Sequence, residues 1–331
     1  MITDPRELRA ALEFGWRFEP DRAARARRVE HGLRLIERGD VCVIAGADPR
    51  LPVAVSRLHV PPRWLYVRGR MELLERPVLA IVGTRRCTRE GREFAHEVAH
   101  AVVSAGGAVL SGLALGIDGA AHQAALPDTI AVLGAGIDLH QPPSHGALQE
   151  RIGAEGLLIT EYPPASEAVP WHFPERNRLI AALSKAVFVV EAPERSGALI
   201  TADHALDLGV ELFAAPGPPR RRANVGSNQL MQDGAGIVIE PRDALDALGL
   251  TPPKPKRKHF QGDDQRALAL VAEPTGLDPS ALAIWRAAEQ PGHADDLAAR
   301  AELPTAATLS ALLELEVMGL VTRRGQRYER V

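Results

Sequence analysis

The sequence predicts an α/β fold: a doubly wound, mostly parallel sheet with a short helical segment before it and a winged-helix domain after it. Three observations predict this. Between residues 77 and 240, short β-branched apolar runs alternate with longer segments of helical period. Each run is apolar throughout instead of alternating with polar residues, the mark of strands covered by helices on both faces. Near the C-terminus a helix, a turn, a second helix and a hairpin follow one another. With 331 residues, 46% hydrophobic and 24% charged, the chain has ordinary globular composition, which excludes disorder or fibre for the whole.

In chain order, residues 1–45 carry Leu8, Leu12, Phe14, Leu33, Leu35 and Ile36 in a helical pattern and read as a helical segment too short for a core of its own. Residues 46–250 form the sheet domain. Its strands are read at 78–82, 108–110, 129–133, 157–160, 187–190, 211–214 and 236–239. Thr88 caps a helix running to Ser104, and Pro174 stands in the first turn of a helix over 175–184. Right-handed crossovers bring every loop after a strand to one edge of the sheet, where ligands bind. Residues 251–262 read as a basic, Pro-rich linker. The winged-helix domain spans 263–331, with a helix at 294–300, a turn at 301–304, a helix at 305–319 and a hairpin at 320–331.

The formal net charge is −3, against a globally basic nucleic-acid coat, but local patches decide what approaches. Residues 63–92 hold eight arginines against three glutamates, and residues 220–222 and 254–258 form two more basic clusters. Lysine occurs only at positions 185, 254, 256 and 258; genome base composition explains much of the arginine excess. Cys42 and Cys87 cannot build a disulfide framework, which points to a reducing compartment. No stretch reaches the ~18 uncharged apolar residues of a membrane span, and the first residues lack a signal peptide pattern. The expected location is the cytosol.

Four loops at the predicted edge carry the chemistry. Val82-Gly83-Thr84-Arg85-Arg86 follows the first strand and opens onto a helix, bringing backbone amides, a hydroxyl, the helix dipole and guanidinium groups to one place that suits phosphate. Ser111-Gly112, with Gly116, ends the second strand; its small residues allow either close approach of a ligand or tight packing. Phe173-Pro174-Glu175-Arg176-Asn177-Arg178 begins a helix, and a loop from Glu191 through Arg195, Ser196 and Gly197 to Thr201 follows the fifth strand. Phe173, in a loop among polar residues, either stacks on an unpaired base or staples the following helix. With no positioned nucleophile and base, the set suits binding a phosphodiester better than cutting one. No catalytic residue, metal or cofactor is expected.

Two motifs mislead. His96-Glu97-Val98-Ala99-His100 fits the HExxH zinc-protease pattern, but at about 100° per residue the histidines lie on the arc opposite Phe94, Ala95, Val98, Ala99 and Val102 and so face solvent. Gly134-Ala135-Gly136 supplies GxG without a third glycine and does not follow the first strand of the unit.

With these residues in view, the central stretch resembles the DNA processing protein A (DprA/Smf) family. The resemblance runs from Asp48-Pro49, Leu51-Pro52, Pro61-Pro62 and Leu65-Tyr66 through Ile81-Val82-Gly83-Thr84-Arg85, Leu110-Ser111-Gly112, Gly116-Ile117-Asp118 and His122. It continues through Glu161-Tyr162-Pro163-Pro164, the residues after Phe173, Ser196-Gly197, Ala215-Pro216-Gly217, Gly226-Ser227-Asn228 and Gly234-Ala235. It implies an extended Rossmann-like fold, a homodimer, sequence-tolerant binding of single-stranded DNA, and delivery of that strand to the recombinase RecA during natural transformation, without chemistry. In the family pattern Gly83, Arg85, Arg86, Arg176, Asn177 and Arg178 line a phosphate pocket, with Ser111, Gly112, Ser196 and Gly197 as close-approach positions. Arg85, Arg86 and Arg178 are then expected to meet consecutive phosphates while Phe173 stacks on a base. Members can carry a basic residue shortly before the phenylalanine; this chain has Pro170-Trp171-His172, with Trp171 or Arg195 to compensate.

Two rivals remain. A phosphoribohydrolase-type enzyme shares such a sheet, but its PGGxGTxxE loop would fall at Ser196-Gly197-Ala198-Leu199-Ile200-Thr201-Ala202-Asp203-His204, which lacks the glycine pair and the glutamate. A duplex reader acting through the winged helix is opposed by the helix at 305–319, which holds Glu314 and Glu316 and no basic residue, leaving Arg323, Arg324, Arg327 and Arg330 for any DNA contact.

Overall fold

A computed structural model describes residues 1–252, 277–290, 292–324 and 327–330. It divides into two compact units, Met1–Pro255 and Lys256–Val331. Most of the linker expected at 251–262, and the domain start expected at Asp263, lie outside the described residues.

In the first unit, helices α1 (Pro5–Gly15) and α2 (Arg22–Glu37) precede strand β1 (Cys42–Ala45), the short helix α3 (Val53–Ser56) and β2 (Trp64–Gly69). Then come β3 (Val78–Val82), α4 (Arg89–Ser104), β4 (Ala108–Ser111), α5 (Ile117–Ala125), β5 (Thr129–Val132), α6 (Gly146–Glu155) and β6 (Leu157–Thr160). The unit continues with α7 (His172–Ala182), β7 (Ala186–Val189), α8 (Gly197–Leu208), β8 (Glu211–Ala214), α9 (Val225–Gln232), β9 (Gly236–Ile237) and α10 (Pro241–Leu248). The strands form one sheet of nine in the order β1-β2-β6-β5-β4-β3-β7-β8-β9. From β6 to β9 they run parallel, while β2 is antiparallel to β6 and β1 to β2.

Within the parallel strands the two faces follow from residue alternation. Val78, Ala80 and Val82 of β3 face α7, α8 and α9, whereas Leu79 and Ile81 face α4, α5 and α10. Both faces are buried, hence the uniformly apolar runs. Farther along the second face, Val43, Tyr66, Ala131 and Leu158 meet α6 and the first two helices. Asp138 fastens α2 to the rim: it accepts from His31 at 2.7 Å and from the Ala165 amide at 2.8 Å. The residues read as a wholly helical segment therefore end in a strand of the main sheet. β1 and β2 escaped the strand pattern because they form the antiparallel margin and lack the repeating strand-helix rhythm.

The HExxH side chains His96, Glu97 and His100 lie exposed on the outer face of α4. No helix among the described residues is long and apolar enough to cross a membrane.

The second unit holds α11 (Pro279–Ala287), α12 (Ala294–Ala301), α13 (Thr305–Val317) and the hairpin of β10 (Val321–Arg324) with β11 (Arg327–Arg330). Ile284, Trp285, Leu297, Leu312, Leu315 and Val321 form its core. The outer face of α13 exposes Leu309, Leu313 and Val317. The guanidinium of Arg330 lies 4.3 Å over the Trp285 ring.

His122 on α5 is fully buried, and its Nδ1 lies 2.7 Å from Thr129 Oγ1. That hydroxyl donates to the Val109 carbonyl, so it accepts from Nδ1–H and fixes the tautomer. Burial above all, then the charges of His145 and Arg176, pull the His122 pKa down from 6.5 to about 3. The folded state thus refuses a proton that the unfolded chain takes up below pH 6.5. Stability present above that pH is lost as pH falls towards about 3, at up to ~1.4 kcal/mol per pH unit. In urea unfolding of the first unit at pH 7 and pH 5, wild type is expected to lose about 2 kcal/mol more than His122→Asn on acidification; parallel losses would show that His122 does not carry this proton linkage.

Candidate functional site

The winding of the sheet reverses between β3 and β7. From β3 the chain proceeds through β4, β5 and β6 on one side, and through β7, β8 and β9 on the other. Loops leaving the carboxyl ends of β3 and β7 diverge there and open a crevice. A cleft of about 1190 Å³ occupies this point.

The loop after β3 forms one wall. A Cβ on Gly83 would lie 2.6 Å from Ile117 Cγ1 and 3.0 Å from the Glu191 carbonyl, so only glycine lets the chain pass between α5 and the β7 loop. The Thr84 amide donates to that same carbonyl at 2.8 Å, and Thr84 Oγ1 accepts from the Arg86 amide at 3.3 Å. Arg85 and Arg86 extend into solvent at the cleft. The N-terminus of α4, expected to face a phosphate, is already occupied. The buried Glu191 carboxylate accepts from the Thr88 amide at 2.8 Å and from Thr88 Oγ1 at 2.6 Å, and a Cβ at Gly91 would strike it at 2.5 Å.

The loop after β7 forms the opposite wall. Ser196 caps α8 by accepting from the Ala198 amide at 3.3 Å, and the side of Gly197 where a Cβ would stand is open space. Asn177 Nδ2 donates to the Gly197 carbonyl at 3.0 Å, which fixes the start of α8 against α7. Arg195, and Arg222 from beyond β8, also line the cleft and are exposed. Arg195 was foreseen only as a substitute and Arg222 only as part of a basic cluster. Their convergence on the cleft depends on how the β7 and β8 loops return across the sheet. Arg85, Arg86, Arg195 and Arg222 have no carboxylate within 4 Å among the described residues.

The floor differs from the expected pocket. Arg176 is only 5% exposed; Nη1 donates to the carbonyls of Gly112 (2.9 Å) and Val132, and Nε to Asn177 Oδ1 at 3.2 Å. Burial pulls its pKa down to about 10, opposed by the nearby Asp118 carboxylate, so it stays charged at neutral pH. Burial raises the Asp118 pKa, opposed chiefly by Arg176 and by the amides of Ala114 and Gly112. Ser111 and Gly112 lie beneath the floor and do not line the cleft. Ser111 Oγ donates to the Ile81 carbonyl at 2.6 Å, and the space beside Gly112 is filled by the Arg176 guanidinium, 2.5 Å from where a Cβ would be.

Arg178 lies outside the cleft altogether. At about 100° per residue it points about 200° away from Arg176 on the same helix. Its guanidinium binds the Glu161 carboxylate and donates to the Val60 carbonyl at 2.9 Å.

Phe173 is the second residue of α7 instead of a loop residue, because the helix starts two positions before Pro174. Its half-buried ring lies against the backbone of Gly134, where a Cβ would stand 3.3 Å from Cδ1. The Arg85 guanidinium sits 5.5 Å over the ring. Gly134 of the GxG sequence thus seats an aromatic ring. His172 donates through Nδ1 to the Gly134 carbonyl at 3.1 Å and stacks on Tyr162 at 3.8 Å; burial lowers its pKa. Trp171 beside it is 66% exposed. The arrangement offers several unneutralised guanidinium groups around a seated aromatic face.

Comparison with known proteins accounts for this layout. Residues 42–249 match the family model of DNA recombination-mediator protein A, and residues 269–326 match the DprA winged helix domain. Protein Smf of Synechocystis is 36% identical over 312 residues, covering 86% of this chain and 78% of the relative. The X-ray structure of DNA processing protein A from Streptococcus pneumoniae superposes with a TM-score of 0.60 at 32% identity, covering 74% of this chain and 93% of that one. DNA processing protein A from Helicobacter pylori, whose structure concerns its single-stranded DNA binding mode, gives a TM-score of 0.58 at 31% identity, covering 63% and 95%. The chain belongs to the DNA recombination-mediator protein A family.

Proposed function

We propose that the protein binds single-stranded DNA without reading its sequence, protects it, and as a homodimer hands it to RecA during natural transformation, with no chemistry of its own. The observation that carries the binding reading is the cleft at the winding reversal, where Arg85, Arg86, Arg195 and Arg222 stand without carboxylate partners among the described residues, beside the Phe173 ring. Phosphates meet these guanidinium groups and a splayed base stacks on Phe173, so contacts go to features common to every nucleotide. Arg195 and Arg222 take the place first expected of Arg178. Arg176 adds a fixed positive charge from below without leaving its carbonyl partners. The single-stranded DNA binding mode of the Helicobacter pylori relative supports the substrate class. The RecA, transformation and homodimer parts rest on the family resemblance.

A gel-shift comparison of single-stranded, duplex and tailed DNA over a salt series tests the substrate class. Preference for the unpaired strand is expected, and equal or better duplex binding would overturn it. Arg85→Ala is expected to weaken binding to oligo-dT and to mixed sequence alike and to reduce the log–log salt slope by about 0.7. Unchanged titration curves would remove the loop at 83–86 from the interface. Phe173→Ala is expected to cost about 1–3 kcal/mol of affinity, roughly 5- to 150-fold in Kd, while leaving the salt slope as it was. A change in slope without a change in low-salt affinity would exclude stacking on this ring.

A further inference from the structure

The cleft occupies the middle of a longer rim. Because β2 runs antiparallel to β6, with Tyr66 opposite Thr160 and Gly69 opposite Leu157, Trp64 and the preceding Arg63 emerge on the same edge as Gly83 and Arg85. Four strand spacings of about 4.8 Å lie between β3 and β2, about 19 Å in all. The end of α1 reaches the same corner. Phe14 meets Trp64 edge-on with ring centroids 5.4 Å apart, and Gly15 lies so close to Pro163 that a Cβ would stand 2.6 Å from its ring.

Aromatic rings and guanidinium groups interleave at this corner. Arg17 lies 4.1 Å over Phe14 and 4.4 Å over Phe18, while Arg63 lies 4.4 Å over Trp64 and 5.2 Å over Phe14. Arg17 and Arg63 are exposed, with no carboxylate within 4 Å among the described residues. Phe18 is 81% exposed, a large apolar ring left in water with a cation on it. Contacts link the corner to the cleft without a gap: Pro163 adjoins Tyr162, Tyr162 stacks on His172, and His172 is flanked by the exposed Trp171 and by Phe173 beneath Arg85.

We propose that this corner is a second platform for the same unpaired strand, which leaves the cleft, passes Trp171, and stacks a base on Phe18 while its phosphates meet Arg17 and Arg63. The inference rests on the single-strand reading of the cleft. Cationic groups that track a backbone, interleaved with aromatic faces, are the chemistry of sequence-tolerant single-strand binding. An unpaired strand can follow the rim around its corner, whereas a duplex with a persistence length of about 150 bp cannot. Arg17 and Phe18 lie before residue 42, where the family match begins, whereas Arg63 and Trp64 lie within it, so the platform joins residues from outside and inside the stretch that defines the family.

Fluorescence anisotropy of the full chain with oligo-dT of about 5 and about 16 nucleotides, at low salt and over a salt series, tests it. The short oligomer is expected to bind wild type, Phe18→Ala and the Arg17→Ala/Arg63→Ala double variant equally. On the long oligomer Phe18→Ala is expected to lose about tenfold in affinity, Phe18→Tyr to retain it, and the double variant to reduce the log–log salt slope by about 1.4. Wild-type affinity and slope for both platform variants on the long oligomer would overturn the platform, as would equal losses on the two lengths. In either case the cleft reading stands so long as Arg85→Ala weakens both lengths. Arg85→Ala behaving as wild type on both lengths would sink the cleft reading and, with it, this proposal.

Discussion

Glu191 ties together the two loops that the winding of the sheet drives apart. Its carbonyl takes the Thr84 amide and its carboxylate takes the amide and hydroxyl of Thr88, so one residue after β7 anchors both the loop after β3 and the start of α4. A carboxylate at a helix N-terminus satisfies the dipole that would otherwise draw an external anion. The helix N-terminus is thereby unavailable to an external anion, and side chains are left to meet the phosphates of the proposed strand. In a phosphate-binding loop of the usual kind, rigid amides define one place for one phosphate. Here long guanidinium arms on exposed loops define a zone of positive potential, which suits a chain of equivalent phosphates better than a single nucleotide.

The floor makes the same division between fixed and adaptable charge. Taking an isolated ion out of water costs several kcal/mol, so a buried arginine persists only where its donors are met. Arg176 meets that condition with the carbonyls of Gly112 and Val132, the Asn177 amide oxygen and the nearby Asp118 carboxylate. Gly112 is required because the guanidinium fills the volume of its missing side chain. Arg176 and Asn177 therefore tie β4, β5, α7 and the start of α8 to one another beneath the exposed arginines.

Much of this was legible in sequence where local pattern and burial agree. Runs such as 78–82 and 157–160 are apolar on both faces, and they are central parallel strands. The Thr88 cap follows from the preference for a short hydroxyl side chain at a helix start, and the outward turn of His96 and His100 from helical period. Where the outcome depends on tertiary placement, local reading erred. Arg176 and Arg178 were grouped because they are adjacent in a motif, although helical geometry sets them on opposite sides. Pro174 suggested a helix over 175–184, three residues later than the start at His172, since proline is tolerated throughout the first turn, where amides lack intrahelical acceptors. β2 was missed because Trp64-Leu65-Tyr66-Val67-Arg68-Gly69 joins the sheet antiparallel at its margin. That one omission hid the fact that Arg63 and Trp64 share a rim with Gly83.

The two units differ in how well each suits an unpaired strand. In a winged helix that reads duplex, the second helix of the helix-turn-helix enters the major groove, and a large share of the affinity comes from cations near phosphates. The corresponding α13 presents Leu309, Leu313 and Val317 outward, with Glu314 and Glu316 on the same helix and no basic residue along it. Bringing that face against a phosphate backbone would desolvate carboxylates beside like charge and gain no counterion release. Arg330, on the hairpin, already lies over Trp285. In the first unit the situation is reversed: Arg17, Arg63, Arg85, Arg86, Arg195 and Arg222 lack carboxylate partners among the described residues, and rings lie beneath the guanidinium groups of Arg17, Arg63 and Arg85. Charge sign and aromatic placement, more than total charge, therefore make the carboxyl rim of the sheet the surface better suited to the unpaired strand proposed above, in a protein that is acidic overall.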